Sequence, residues 1–152
     1  MPNYWLIKSE PDVYSIHDLE RDGHTHWEGV RNYQARNFMR DAMNIGDEVL
    51  FYHSNADPTG VAGLARVARA AYPDRSALDP QSHYFDPKAT EADPRWVMVD
   101  VEFVEAFPQV VPLSTLRDTP ALAAMPLLNR SRLSVQPVTE HEFEVIRGLG
   151  SR

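Results

Sequence analysis

Between Trp96 and Phe107 the chain alternates in a way few folds accommodate. Val97, Val99, Val101 and Phe103 fall on one side and Met98, Asp100 and Glu102 on the other. A period of two residues belongs to a β-strand with one face on a core and the other toward water. The fold must therefore contain a sheet, and the shorter runs are read around it. Tyr4 to Lys8 is an aromatic and apolar strand, stopped by Ser9-Glu10-Pro11 because proline donates nothing to a ladder. Glu48 to His53 is apolar enough to be buried on both faces, and Val61 to Ala71 carries small residues that let a strand bend. Arg132 to Pro137 reads as a last short strand ended by its proline.

Helix signals lie between these runs. Ser15 with an acid three residues later starts a short helix that ends near Gly23. Asn32 to Met43 sets Ala35, Phe38, Met39 and Ala42 on one helical face and Arg36 and Arg40 on another. Leu113 to Arg117 gives one or two turns ahead of the apolar stretch Ala121 to Leu128, and Thr139 caps a terminal helix running through Ile146 and stopped by Gly148. Tyr72 to Arg95 is rich in Pro, Asp, Ser and Gln, and a loop of that length is usually a cover or a functional segment. Strands and helices mostly do not alternate as β-α-β units. The expectation is an α+β fold built on a small curled sheet or partial barrel.

The 152 residues suit one ordinary domain, with 43% hydrophobic residues to fill a core. A net charge of −7 argues against coating duplex DNA or an anionic membrane by bulk electrostatics, so any nucleic-acid function must be local. With no cysteine, thiolate chemistry, disulfides and Cys-based metal sites are excluded. The opening MPNYWLIKSEPD has neither a basic leader nor a long apolar run, which predicts a cytoplasmic chain with no membrane partner.

Motifs for chemistry are sparse. His24 and His26 share one side of an extended segment, but no third ligand follows at metal spacing, so no metal and no cofactor is expected. No nucleophile elbow or phosphate loop occurs. More informative is Gly29 through Arg40, an acid-free stretch in an acidic protein that carries Arg31, Arg36 and Arg40. Guanidinium forks at a helix start favour phosphate or carboxylate, and Trp27 and Tyr33 offer flat surfaces for a base. The same residues also read as a core tryptophan beside a solvated helix face. Lys8, Ser9 and Glu10 at a strand exit supply a donor, a hydroxyl and an acceptor, enough to read a base edge or simply to form a turn. His53-Ser54-Asn55 at another strand exit, and Ser134 and Gln136 in the last strand, repeat the pattern.

Six segments in order, Tyr4 to Pro11, Trp27 to Asn37, Leu50 to Ser54, Tyr84 to Lys88, Trp96 to Val101 and Arg132 to Pro137, resemble the EVE domain family. The resemblance runs from Tyr4 to about Ile146 and implies one EVE domain over 1–152, a PUA-like curled β-barrel of short strands flanked by short helices. It also implies a reader of a modified base in DNA or RNA, or of a modified nucleoside, related to the YTH domains that read methylated adenine. The YTH opening Lys-Ser corresponds to Lys8 and Ser9, and its aromatic cage to Trp27. YTH domains commonly place Asn third, where this chain has Glu10. A carboxylate accepts from an exocyclic amine, which points to a 5-substituted cytosine.

The implied base pocket is formed by Lys8, Ser9 and Glu10, by Trp27, Arg31, Asn32 and Tyr33, and by His53, Ser54, Ser134 and Gln136. Lys8, Arg31 and Arg36 are expected on the flanking phosphates. The rival reading is an amidohydrolase like the ASCH domains, which use a Lys, a hydroxyl residue and a Glu. Lys8, Ser9 and Glu10 supply those types, yet three consecutive residues of an extended segment cannot all face one point. Oligomeric state is left open.

Overall fold

The computed structural model describes residues 3–129 and 132–151. Six strands form one sheet in the order β2-β5-β4-β3-β1-β6: β1 (Tyr4–Ser9), β2 (His24–Trp27), β3 (Glu48–His53), β4 (Gly60–Pro73), β5 (Val97–Pro112) and β6 (Val135–Val138). β1 and β3 run parallel, with Tyr4 opposite Glu48 and Ser9 opposite His53, and the other neighbours are antiparallel. Among the described residues five α-helices accompany them: α1 (Ile16–Asp22), α2 (Tyr33–Asp41), α3 (Leu113–Arg117), α4 (Pro126–Asn129) and α5 (Glu140–Gly150).

The expected α+β class and curled sheet are present, but the sheet is not closed into a barrel. β2 pairs only with β5 and β6 only with β1, four residues each, so two edges stay open among the described residues. Curling is nevertheless strong. β4 and β5 change register at several points, and such irregularities bend and twist a ladder. As a result Trp27 of β2 comes within 5.4 Å of Phe51 of β3, ring to ring, although two strands separate them in the sheet.

Both sheet faces are covered, which is why β1 and β3 are almost continuously apolar. Trp5, Ile7, Val49 and Phe51 point into one core with Ile16, Leu19, Ala35 and Met39 from α1 and α2. Leu6, Leu50 and Tyr52 point into a second core with Leu116, Leu127, Phe143 and Ile146 from α3, α4 and α5. The alternation of β5 holds at Val99 and Val101, which are buried. Past Phe103 the register shift redirects the strand, so that Phe107 and Val111 enter the second core.

Local signals explain most of the boundaries. Ser15 and Asp18 form the reciprocal cap of α1, and Gly23 ends it at φ 81°, where an L side chain is disfavoured. Thr139 and Glu142 cap α5 in the same way. The expected stop at Gly148 is corrected: α5 continues to Gly150, which packs on the Phe107 ring where a Cβ would lie 2.2 Å away. The last strand is shifted from 132–137 to Val135–Val138, the span that pairs with Tyr4 to Ile7. Pro137 is tolerated because β6 is an edge. His24 to Trp27, which carried no strand signal beyond its extended histidine pair, is an edge strand whose ladder partner β5 lies far along the chain.

One buried carboxylate pins the start of the sheet. Asp47 accepts from Trp5 Nε1 at 2.9 Å, from the Asn44 amide at 2.9 Å and from the Asn3 amide at 3.0 Å. Asp47→Ala leaves a buried indole donor unsatisfied and is expected to lower stability by about 2–4 kcal/mol in chemical denaturation. Asp41→Ala, on an exposed helix end, is expected to shift it by less than about 0.5 kcal/mol. Equal losses in the two variants would refute the pinning role.

Candidate nucleic-acid interface

The parallel pairing of β1 and β3 fixes where a site forms. Both strands end at the same level, Ser9 beside His53, and the Ser54 amide donates to the Ser9 carbonyl at 2.9 Å. The chains leaving the two strands, Glu10 onward and Ser54-Asn55, therefore sit side by side at the carboxyl ends of parallel strands, a frequent ligand position. The curl adds Trp27 to Asn32 as the facing wall, and Tyr84 and Ser134 complete a cleft of about 680 Å³.

Of the residues expected in a base pocket, Lys8, Ser9, Glu10, Trp27, Arg31, Asn32, Ser54 and Ser134 line this cleft. Lys8, Ser9 and Glu10 all line it, the strand stopping at Ser9 and Glu10 belonging to the turn, and the side chains of Ser9 and Glu10 take separate partners there. Burial holds the Lys8 ammonium below the ordinary lysine pKa. The Ser9 hydroxyl donates to the Tyr14 carbonyl at 2.6 Å, leaving its lone pairs for a ligand. Asn55 stands in the left-handed region at φ 49° and donates from Nδ2 to Glu10 Oε1 at 2.5 Å, fixing the carboxylate at the rim. Trp27 is half-buried, held edge-on by Phe51 and Tyr14, so it belongs both to the core and to the cleft wall.

Four expected residues stand elsewhere. His53 is buried behind the cleft, where Nε2 accepts from the Ile16 amide at 3.1 Å and braces the start of α1. Gln136 is buried and donates to the Leu133 carbonyl at 2.8 Å. Tyr33 is turned outward, stacked on Trp96 with ring centroids 4.7 Å apart. Arg36 stands over Tyr33 and donates to the Arg95 carbonyl at 2.9 Å.

Arg31 lines the cleft, yet its guanidinium is committed to the protein. Nη1 pairs with Asp74 Oδ2 at 3.1 Å and donates to the Val30 carbonyl, Nε and Nη2 converge on the Tyr84 carbonyl, and Nη2 also reaches Ser76 Oγ. The expected phosphate role is corrected accordingly: five donors already satisfied leave none for a phosphate. Asp74 is fully buried and takes the Gly29 and Ser76 amides as well, so it ties the 72–95 segment to the cleft wall. Gly29 at φ 84° is required there, because a Cβ would sit 2.7 Å from the Tyr84 ring. Sequence reading did not single out Tyr14, Thr25, Glu28 or Tyr84 as site residues individually, and it weighed His26 only as a metal ligand; Gly29 carries a visible signal, as a glycine between an aromatic and an arginine. His24 and His26 are both exposed on β2, and among the described residues no group of three or more potential ligands is placed to hold a metal ion.

With this geometry in hand, comparison with known proteins is decisive: the EVE domain family model matches residues 3–149. The chain belongs to the EVE domain family. Thymocyte nuclear protein 1 of Mus musculus is 42% identical over 168 residues, spanning 98% of this EVE chain and 74% of the relative. A solved structure from Leishmania major superposes with a TM-score of 0.96 at 51% identity, covering 99% of this chain and 95% of that one. Human THYN1, solved in complex with DNA containing 5-methylcytosine, gives a TM-score of 0.93 at 40% identity, covering 99% and 98% of the two chains. An ASCH protein from Zymomonas mobilis reaches 0.53 at 9% identity, a likeness of fold alone. The relatives' name overturns the expectation of a cytoplasmic chain, since these homologues are named as nuclear. Leader signals sort exported from unexported chains and say nothing about the nuclear envelope. Among the described residues, no helix is long and apolar enough to cross a membrane.

Two outcomes test this description. Arg31→Ala strands the buried Asp74 carboxylate and is expected to cost about 3–5 kcal/mol of stability; a variant that melts like wild type and loses only ligand binding would restore Arg31 to the phosphates. The second concerns pH. Burial lowers the His53 pKa below its ordinary 6.5, with His17 adding to the effect and Asp18 opposing it. The unfolded chain then takes up a proton at His53 before the folded one does. Its stabilising contribution is full above about pH 6.5 and is lost as pH falls through that value toward the folded pKa. His53→Gln is expected to flatten this part of the melting-temperature profile, leaving the loss below pH 4 that belongs to carboxylates such as Asp18.

Proposed function

We propose that this chain, acting as one unit over 1–152, reads a modified base of the 5-substituted cytosine type, extruded from nucleic acid into the cleft. The observation that carries the reading is the cleft at the ends of β1 and β3, where a flat aromatic wall faces a fixed carboxylate, in a chain 40% identical to a protein solved with 5-methylcytosine DNA. Base extrusion needs a slot with a stacking surface and edge-reading groups. Trp27 supplies the surface. Glu10, held by Asn55, accepts from the exocyclic amine of cytosine, while Ser9 and the backbone around Ser54 and Ser134 border the remaining edge. Lys8 serves an oxygen of the base or the adjoining phosphate. His53 and Gln136 brace the wall from behind.

The role is recognition without turnover. The Ser9 proton is committed to the Tyr14 carbonyl and the Glu10 carboxylate to Asn55, so hydroxyl and carboxylate are not joined as nucleophile and base. DNA is favoured over RNA by the human complex, and a free nucleoside with the same base fits the same contacts.

Titration of single-stranded oligonucleotides carrying one 5-methylcytosine, cytosine or thymine tests the reading. Wild type is expected to favour amine-bearing over carbonyl-bearing bases by about 1–3 kcal/mol. Glu10→Gln adds a donor beside the acceptor and is expected to flatten that preference more than it weakens binding overall. An unchanged preference in Glu10→Gln removes the carboxylate from base selection.

A further inference from the structure

Tyr33, expected inside the base pocket, stands outside it in a setting that nothing so far uses. It follows Asn32, which lines the cleft, and it opens α2 with half its surface exposed. Large aromatics with that exposure are few here; the others described are Phe85 and, among aliphatics, Val13, Ile45 and Val104. Tyr33 lies nearly parallel to Trp96, 26° between planes, so the pair forms a rigid stack anchored below by Trp96 Nε1 donating to Asp86. Arg36 lies 4.7 Å from the Tyr33 ring centre, and Arg95 donates from Nη1 to the Tyr33 hydroxyl at 3.3 Å. Arg95 holds an unusual left-handed backbone, φ 63°, and its carbonyl accepts from Arg36, so the two cations are fastened to each other around one exposed ring.

An acidic protein thus concentrates arginine and aromatic surface immediately next to the cleft. Stacking platforms flanked by cations are the means by which proteins hold single-stranded nucleic acid without reading its sequence. The positions also match in continuity: Tyr33 directly follows Asn32 of the cleft lining, so the ring stands beside the cleft. We infer that Tyr33, Arg36 and Arg95 form a second nucleotide subsite, which takes the nucleotide adjacent to the extruded base, its base on the ring and its phosphate between the two guanidinium groups. This subsite rests on the base-reading function proposed above and extends the ligand from one base to a strand segment. It also explains how a protein of net charge −7 retains nucleic acid with Arg31 committed elsewhere.

The test compares two probes on the same variants: the nucleoside 5-methyl-2′-deoxycytidine, and a trinucleotide with that base in the centre. Tyr33→Leu is expected to leave nucleoside affinity unchanged and to weaken trinucleotide binding by about 5- to 100-fold. Tyr33→Phe keeps the ring and is expected to retain trinucleotide binding, with equal melting temperatures confirming that Trp96 packing survives. Arg36→Gln and Arg95→Gln are each expected to reduce the slope of log affinity against log salt by about 0.7 for the trinucleotide only. Equal affinity of wild type for nucleoside and trinucleotide, or loss of both probes alike in Tyr33→Leu, overturns the subsite. Failure of the base-reading function looks different: wild type then fails to bind the nucleoside at all, whatever the Tyr33 variants do with the trinucleotide.

Discussion

The cleft depends on a single buried carboxylate. Asp74 has no exposure to water, and its two oxygens take the amides of Gly29 and Ser76, the Ser76 hydroxyl and the Arg31 guanidinium. A charge so placed is tolerable only when paired and fully hydrogen-bonded, and this one is. Through it the long segment after β4 is joined to the wall after β2, and through Arg31 the wall is joined to the Tyr84 carbonyl. Removing a member would loosen this joint, which the Arg36 bond to the Arg95 carbonyl and the Tyr33–Trp96 stack also span. The energetic interest of the pair lies in specifying one geometry, since ion pairs of this kind add little net stability beyond what apolar packing would give.

Much of the fold was legible because local chemistry and tertiary packing agree. The alternation of β5, the capping serine and threonine of α1 and α5, and the apolar run of β3 each correspond to an element found in the structure. What escaped was set by distant partners. β2 carries two histidines, a threonine and a tryptophan, and only its ladder with Val99 to Glu102 makes it a strand. Gly148 looks like a stop signal, but the helix runs on to Gly150, which packs on the Phe107 ring from a strand distant in sequence.

The site divides along the same line. Lys8, Ser9 and Glu10 are visible as a polar group at a strand exit, and their place follows from where β1 ends. Arg31 is equally visible as an arginine in an acid-free stretch, yet its function turns on Asp74, 43 positions away, which no periodicity marks. His53 and Tyr33 illustrate the two directions in which such an error runs. One residue expected to face a ligand is buried as a brace, and the other faces water on the far side of Asn32.

The open, curled sheet has a consequence for how the binding surface comes into being. Its walls are drawn from Lys8, Trp27, Ser54, Tyr84 and Ser134, and β1 receives its outer neighbour β6 from the far end of the chain. No short contiguous fragment contains the cleft, whose lining runs from Lys8 to Ser134. During synthesis the amino-terminal strand must wait, one edge uncovered, until residue 138 has been made, and exposed edges are where chains associate wrongly. Once formed, the surface is inseparable from the whole: a ligand that grips only the folded cleft resists unfolding of the entire sheet.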